Sequence, residues 1–328
     1  MEDSLGRKID YLRISITDRC NLRCIYCMPE NIELLPMEEI LTYEEIADIV
    51  EATSKLGIKK IKITGGEPLV RKDCWKLVKM LKAIEGIDEV TLTTNGVLLT
   101  EQLEKLKEAG IDGINVSLDT MDSFSYKKIT GFDKYELVLE GIRAAIRAGI
   151  KTKINVVSIK WHKEYLTADL IQLIELTKKY PIDVRFIEIM PIGKGKQYEF
   201  LGNDVLFNAI SAKYAGIKRD NSKHGNGPAV YFKIPGFVGS IGFISAIHGK
   251  FCSDCNRLRL SASGYLKACL CFENGTNLKP IVRDTRESLK AQQLMNCIKQ
   301  VIEEKPKEHN FEELEKITEH NYMASIGG

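Results

Sequence analysis

The stretch Cys20-Asn21-Leu22-Arg23-Cys24-Ile25-Tyr26-Cys27 places three thiols within eight residues, in the spacing C-x3-C-x2-C. It follows residues 11–17, an apolar and β-branched segment that predicts a buried strand. Three thiolates can hold an iron–sulfur cube by three of its irons and leave the fourth iron open to a substrate or cofactor. The spacing alone is also compatible with three ligands of a zinc site.

A second motif, Gly65-Gly66-Glu67-Pro68, follows a predicted strand at residues 59–64. Because this turn follows the cysteine loop in the sequence, the chain resembles the radical S-adenosylmethionine (SAM) superfamily. The resemblance implies a [4Fe–4S] cluster on the loop and a SAM molecule whose methionine end lies in the GGEP turn. Glycine suits such a turn because backbone without a Cβ can approach a ligand closely.

Length, composition and charge limit the classes of protein to which the chain can belong. The 328 residues can bury a substantial core, and no apolar run is long enough for a membrane span. The first residues lack the apolar core of a secretory signal, so we expect a cytoplasmic protein. There the nine cysteines are expected to be metal ligands and buried thiols. A net charge of +2 argues against a general nucleic-acid surface, so an anionic substrate requires a local cluster of cations.

From residue 11 to residue 191 the sequence alternates short β-branched strands with amphipathic helices. Thr42 and Glu45 predict a capping box for the first helix, and Asp73 is the predicted N-cap of the second. The pattern predicts an α/β fold, an incomplete (β/α)6 TIM-type barrel, which is also the fold that the resemblance implies. Strands are predicted at 11–17, 59–64, 90–94, 114–118, 154–157 and 184–189, and helices at 42–56, 73–84, 100–109, 134–148 and 167–180.

Barrel enzymes carry their chemistry at the C-terminal ends of the strands. Besides the cysteine loop and the GGEP turn, Thr93-Thr94-Asn95-Gly96, Ser117-Leu118-Asp119 and Met190 fall at such ends. Each alone is compatible with an ordinary turn between strand and helix. Together on one rim they predict a site.

After Pro191 the alternation stops. A helix at 204–214 and strands at 230–234 and 240–244 predict a smaller α+β extension that covers the open side of the barrel. We therefore divide the chain into a radical SAM partial barrel with the first cluster, residues 1–191, and a C-terminal region with a second metal site and a di-glycine tail, residues 192–328.

That second site is predicted from Cys252, Cys255, Cys269 and Cys271, in the spacing C-x2-C-x13-C-x-C. Four thiols at this spacing favour a structural zinc ribbon when taken alone. A cluster-binding barrel upstream and the guanidiniums of the adjacent Cys255-Asn256-Arg257-Leu258-Arg259 favour a second cluster instead.

Over nearly its whole length the sequence resembles the GTP 3′,8-cyclase family, the radical SAM enzymes of the first step of molybdenum cofactor biosynthesis. The resemblance implies a second [4Fe–4S] cluster on Cys252, Cys255 and Cys269, whose open iron binds the guanine of GTP. Cys271 is additional to the family pattern and is expected not to bind the cluster, because a fourth thiolate would close that iron. The matching segments are Gly6-Arg7, Tyr11-Leu12-Arg13, Thr17-Asp18-Arg19-Cys20, Cys27-Met28-Pro29, Thr64 to Leu69, Thr93 to Gly96, Asn115 to Asp119, Phe186 to Pro191, Cys252 to Arg259, Cys269 and Gly327-Gly328.

The resemblance also implies which residues contact the two small molecules. The four charges of a triphosphate in a partly dry barrel require several fixed cations, which agrees with the GTP set. Lys62 stands where the family usually has Arg, which keeps the charge and loses the guanidinium fork. Lys60 and Lys62 alternate with Ile61 and Ile63 on one strand, so both lysines point to the same face. Lys60 is then either a second cavity residue or a surface lysine. The implied contacts are Tyr26, Gly66, Ser117 and Met190 for SAM, and Arg13, Lys62, Thr93, Lys153, Arg257 and Arg259 for GTP.

The implied reaction begins with reductive cleavage of SAM to a 5′-deoxyadenosyl radical. This radical takes hydrogen from C3′ of GTP, and C3′ then bonds to C8, giving (8S)-3′,8-cyclo-7,8-dihydroguanosine 5′-triphosphate. Arg257 and Arg259 are expected to assist, and Gly327 and Gly328 to enter the cavity rather than form a disordered end. The implied partners are an external electron donor, a second copy in a homodimer, and the cyclic pyranopterin monophosphate synthase that receives the product.

Two other readings stay open on sequence alone. One is a radical SAM enzyme that modifies a peptide with the help of an auxiliary cluster. The other is a non-catalytic zinc-binding interaction protein. Iron content distinguishes the second, because two cubane clusters amount to about eight irons per chain.

Overall fold

The structure, a computed structural model, describes residues 1–159, 165–199, 201–284 and 286–327. Its strands are β1 Tyr11–Ser15, β2 Lys60–Thr64, β3 Glu89–Thr94, β4 Gly113–Ser117, β5 Thr152–Ser158, β6 Asp183–Glu188, β7 Lys218–Asp220, β8 Val230–Lys233, β9 Ser240–Ile244, β10 Arg257–Leu260, β11 Tyr265–Lys267 and β12 Gly275–Asn277. Its helices are α1 Tyr43–Lys55, α2 Cys74–Lys82, α3 Leu99–Glu108, α4 Ser123–Thr130, α5 Tyr135–Arg147, α6 Tyr165–Lys179, α7 Asn203–Lys213, α8 Lys279–Val282, α9 Glu287–Glu303 and α10 Met323–Ile326.

All twelve strands belong to one sheet, in the order β12-β11-β10-β1-β2-β3-β4-β5-β6-β9-β8-β7. The eight strands from β10 to β9 run parallel, and an antiparallel pair of short strands extends each edge. The sheet does not close, so the predicted incomplete barrel is confirmed.

The C-terminal region contributes to this sheet at both edges of the open barrel. β9 pairs with β6, and β10 pairs with β1. The six parallel strands predicted before Pro191 are present as β1 to β6, and these two strands of the C-terminal region bring the parallel set to eight. β10 has four residues and its partner β1 lies about 250 positions earlier in the chain, so no local pattern announced the pairing. The division at Pro191 stays a prediction.

Most predicted elements are present with small shifts at their ends. The capping box of α1 is confirmed, because Thr42 and Glu45 exchange both hydrogen bonds. Asp73 precedes α2 as predicted, but it has a left-handed backbone (φ 57°) and makes no capping bond from its side chain. Its carboxylate pairs with Lys76 instead, at 2.9 Å. Helix α4 and most of the short C-terminal elements were not predicted.

The strands are apolar because helices cover the outer face of the sheet. Leu12, Ile14, Ile61 and Ile63 on β1 and β2 are completely buried, as are Ile46 and Ile49 on α1. Side chains that alternate with these along the strands point to the concave side, where the polar residues lie. Of the helices in the described residues, none has the length and apolarity to cross a membrane.

Candidate functional site

The concave side of the sheet encloses a cavity of about 370 Å³. Sixteen of the predicted site residues line it, which brings together both sets of thiols and both sets of predicted contacts. They are Arg13, Cys20, Cys24, Tyr26, Cys27, Lys62, Gly66, Thr93, Ser117, Lys153, Met190, Cys252, Cys255, Arg257, Arg259 and Cys269.

The N-terminal thiol triad (Cys20, Cys24 and Cys27) lies on the loop after β1. The loop is tied to the end of α4, since the backbone N–H groups of Arg23 and Ile25 donate to Thr130 and Ile129 at 2.8 and 2.9 Å. Burial raises the pKa of Cys20 to about 11 and that of Cys27 to about 12. Such thiols need a strong Lewis acid to stay ionised, and three of them at one end of a cavity match a cluster with one open iron.

The GGEP turn is packed against that loop. A Cβ on Gly66 would lie 2.4 Å from the carbonyl oxygen of Arg19, and one on Gly65 would lie 2.7 Å from that of Thr17. These glycines are required by the approach of the chain to itself, which adds to the predicted reason of close approach to a ligand. Glu67 accepts bonds from the Thr94 hydroxyl at 2.7 Å and from the Asn95 backbone at 2.6 Å.

Tyr26 is held by Asp119, a residue of the predicted rim to which the sequence assigned no contact. Its hydroxyl donates to Asp119 at 2.6 Å, and the other oxygen of Asp119 accepts from the backbone of Val157 at 2.8 Å. Burial raises the pKa of Asp119 to about 6. The hydrogen bond to Asp119 fixes the orientation of the Tyr26 ring beside the N-terminal thiol triad.

The middle of the cavity carries a row of cations on neighbouring strands. Arg13 on β1 lies in register with Arg259 on β10 and with Lys62 on β2. Burial, together with the charges of Arg185 and Arg13, moves the pKa of Lys62 well below its usual value. Burial and the charges of Arg13 and Arg257 lower the pKa of Arg259 to about 9. This crowding of buried positive charge would be relieved by a polyanion.

The far end of the row is closed by a loop that contains His224. Lys153 pairs with Asp183 at 2.8 Å and donates to the His224 carbonyl at 2.6 Å. The His224 ring lies flat on Tyr231, with centroids 4.0 Å apart. Lys60 does not line the cavity and pairs with Asp10 at 2.6 Å, in agreement with the surface alternative.

The C-terminal thiol triad (Cys252, Cys255 and Cys269) lines the cavity beside Arg257 and Arg259. Although burial alone would raise it, the charges of Lys305 and Arg257 lower the pKa of Cys255 to about 7. Among the described residues no three His, Cys, Asp or Glu side chains are grouped to hold a single metal ion. A [4Fe–4S] cluster differs in that each thiolate binds a different iron.

Cys271 does not line the cavity, although it lies near two of these thiols: burial, together with the charges of Cys269 and Cys252, raises the pKa of Cys271 to about 11. It is completely buried among apolar side chains that include Ile192, Ile317 and Phe311, and its sulfur accepts a bond from the Asn310 backbone at 3.4 Å. Three thiols and not four therefore face the cavity at the C-terminal end.

The C-terminal segment (residues 317–327) runs from the C-terminal thiol triad toward the N-terminal one. The carbonyl of Gly327 accepts a bond from Arg259 at 2.8 Å. Gly327 has φ +74°, and a Cβ there would lie 2.8 Å from the Thr64 hydroxyl and 3.1 Å from Ser15 Cβ. Gly328 lies outside the described residues.

Sequence reasoning missed several residues around the cavity. Arg185 on β6 lines it and donates to Asn155 at 2.5 Å, and an arginine within an apolar strand could have indicated this. Lys305 donates to the carbonyl of Arg257 at 2.9 Å and is 4% exposed. It follows α9 in a charged stretch, where no pattern distinguishes it from a surface lysine.

Comparison with known proteins identifies the class first. Residues 14–169 match the Radical SAM superfamily, and residues 182–311 match Molybdenum Cofactor Synthesis C. The SAM-bound crystal structure of Streptococcus suis SuiB has a TM-score of 0.61 at 16% identity, covering 89% of this chain and 68% of that one. That likeness shows the shared fold.

Two curated relatives then define the family. The GTP 3′,8-cyclase of Clostridium perfringens (strain SM101 / Type A) is 40% identical over 329 residues, and that of Petrotoga mobilis is 42% identical over 335, each covering 100% of both chains. The chain belongs to the GTP 3′,8-cyclase family of radical SAM enzymes. Its cofactors are accordingly SAM and iron–sulfur clusters.

Proposed function

We propose that this chain converts GTP to (8S)-3′,8-cyclo-7,8-dihydroguanosine 5′-triphosphate, the first step of molybdenum cofactor biosynthesis. One observation carries the proposal: a single cavity has a thiol triad at each end and a row of buried cations between them. A polyanionic substrate fits the cations, and the full-length relatives carry the name of this activity.

The N-terminal thiol triad holds a [4Fe–4S] cluster, and Tyr26, Gly66, Ser117 and Met190 contact SAM. When bound, this pair supplies a carbon radical that takes hydrogen from a C–H bond of the substrate. The chain itself contributes orientation and the exclusion of water. Asp119 fixes the Tyr26 ring, and Glu67 fixes the strand end that bears Asn95.

The C-terminal thiol triad holds the second [4Fe–4S] cluster, which receives the guanine. Arg13, Lys62, Thr93, Lys153, Arg257 and Arg259 surround the remainder of GTP. Guanidinium groups bind phosphate oxygens in pairs of parallel bonds, and lysines add point charges. Fixing both reactants in one dry cavity supplies the alignment that hydrogen abstraction and ring closure require.

The conversion consumes two electrons and one proton: one electron for cleavage of SAM, and one electron with the proton to complete the dihydro product. An external electron donor is therefore part of the proposal. So are a cytoplasmic location, a homodimer, a division into residues 1–191 and 192–328, and transfer of the product to the cyclic pyranopterin monophosphate synthase.

The test is anaerobic incubation of the iron-loaded protein with SAM, a reductant and GTP, followed by mass analysis. The expected result is a nucleotide with the same mass as GTP, because the hydrogen lost from C3′ is balanced by the one added to the purine. It differs from GTP in chromatographic retention and fragmentation, and it forms with 5′-deoxyadenosine in a fixed ratio. Formation of 5′-deoxyadenosine with unchanged GTP would contradict the proposal. An iron content far below about eight per chain would contradict the two clusters.

A further inference from the structure

A buried ion pair ties the C-terminal segment to the sheet. Lys267, the last residue of β11, donates to Oε2 of Glu319, and the two side chains are 5% and 0% exposed. Oε1 of Glu319 accepts two more bonds, from the backbone and the side-chain amide of Asn321 at 2.8 and 2.9 Å. Both oxygens of a completely buried carboxylate are thus used.

Backbone contacts fix the same point. The Glu319 N–H donates to the carbonyl of Cys271 at 3.2 Å, and the Thr318 hydroxyl accepts from the backbone of Glu273 at 3.0 Å. Residues 318–321 are therefore held against the chain that follows the C-terminal thiol triad.

The other end of the segment returns to the neighbouring residue of the sheet. Gly327 contacts Arg259, and Arg259 on β10 is the register partner of Lys267 on β11. The segment is attached to the sheet where Glu319 pairs with Lys267. It then contacts Gly193 through Tyr322 and ends at Gly327, beside the register partner of Lys267. The number of residues between Glu319 and Gly327 then decides which atom meets Arg259.

Apolar packing alone does not set that number. Ile317 and Ile326 are buried with Ile192 and Phe311, but such contacts tolerate a shifted partner of similar size. A slip of one residue at Glu319 would instead leave two buried charges without partners, which is costly. An ion pair at this place selects one alignment of the segment.

We propose that Lys267 and Glu319 are positioning residues for the reaction: they set the alignment of the C-terminal segment so that Gly327 meets Arg259, and so couple SAM cleavage to cyclisation of GTP. The inference rests on the proposed function. Neither side chain lines the cavity, so both act through the segment.

The experiment compares Glu319→Gln with the unaltered enzyme, both iron-loaded, and measures 5′-deoxyadenosine and cyclised nucleotide together. Loss of a charged hydrogen bond predicts that cyclised nucleotide falls roughly tenfold or more, while 5′-deoxyadenosine changes by less than about twofold. Hydrogen exchange of residues 322–327 should accelerate, with β10 and β11 still protected. The matched control is Glu313→Gln, which breaks the exposed Lys316–Glu313 pair near the same segment and should change neither readout.

A double variant separates positioning from stability. Lys267→Met with Glu319→Met replaces the pair by apolar side chains, a change that is often neutral or stabilising for the fold. We expect it to unfold at the parent temperature or above and to remain uncoupled. A double variant that recovers coupling overturns the proposal, as does a parent-like product ratio in Glu319→Gln. If Glu319→Gln does not fold, the double variant alone decides. A parent enzyme that forms no cyclised nucleotide refutes the proposed function instead.

Discussion

The two ends of the cavity hold the same kind of ligand in opposite electrostatic surroundings. At the N-terminal thiol triad, burial raises the pKa values of Cys20 and Cys27, and the carboxyls of Glu67 and Asp119 raise them further, against a smaller opposing effect of Arg23 on Cys20. At the C-terminal thiol triad, burial raises the pKa of Cys252, but Lys305 and Arg257 outweigh burial at Cys255 and lower its pKa to about 7. The difference matches the proposed occupants, because the sulfonium of SAM is a cation and the triphosphate of GTP is an anion.

Removing one thiol from each end is the strongest test of this contrast. Cys24→Ala should abolish both 5′-deoxyadenosine and cyclised nucleotide, because the radical source is lost. Cys255→Ala should abolish cyclisation and retain SAM cleavage. Iron analysis should give about four irons per chain in each variant instead of about eight. Cyclisation that persists in Cys255→Ala would show that the C-terminal triad does not anchor the nucleotide.

The row of cations is tested at Lys62, which lies between Arg13 and Thr91 in register. Lys62→Met removes a charged contact to phosphate and should lower kcat/KM for GTP by roughly 10- to 100-fold. SAM binding at the other end should be unchanged, as measured by equilibrium dialysis. Lys62→Arg is the matched control that keeps the charge, and it should lie close to the parent.

Lys62 also predicts a pH dependence. Its pKa is well below the usual value, because burial and the neighbouring arginines disfavour the charged form. A bound triphosphate favours that form and raises the pKa, so GTP binding should take up protons and weaken as pH rises. Calorimetry in buffers of different ionisation enthalpy measures the uptake. Equal uptake by the parent and Lys62→Arg would contradict this assignment.

The two ends of the cavity also differ in how much of their structure could be predicted from the sequence. The N-terminal thiol triad and the GGEP turn are short local motifs after strands, so their shared rim followed from the order of elements. The C-terminal end depends on β10 joining β1, a pairing between distant segments that brings Arg259 beside Arg13. Lys305 and Glu319 lie outside the cavity lining and bond to residues far away in the sequence, Arg257 and Lys267, and no local pattern marks either of them. Their burial is a property of the folded chain.

A smaller effect is expected at Gly327, where the C-terminal segment joins the two ends. Gly327→Ala places a methyl group 2.8 Å from the Thr64 hydroxyl and forces a left-handed backbone on alanine. The backbone term costs about 1–2 kcal/mol, which corresponds to roughly tenfold less cyclisation, with SAM cleavage retained. Ser325→Ala, on the same short helix, serves as a control that leaves Gly327 unaltered. Loss of SAM cleavage in Gly327→Ala would place the segment in the first reaction as well.

The smallest effect is expected at Cys271, which we expect not to be a fourth ligand of the second cluster. Because its sulfur faces an apolar cluster, Cys271→Ala should keep about eight irons per chain and parent-like cyclisation. Truncating a completely buried side chain should lower the free energy of unfolding by about 1 kcal/mol, measured by denaturant titration. Loss of iron from this variant would mean that a fourth thiolate occupies the corner assigned to guanine. The cluster on the C-terminal triad would then be an electron carrier. The electrostatic difference between the two thiol triads would no longer reflect the binding of GTP at one of them.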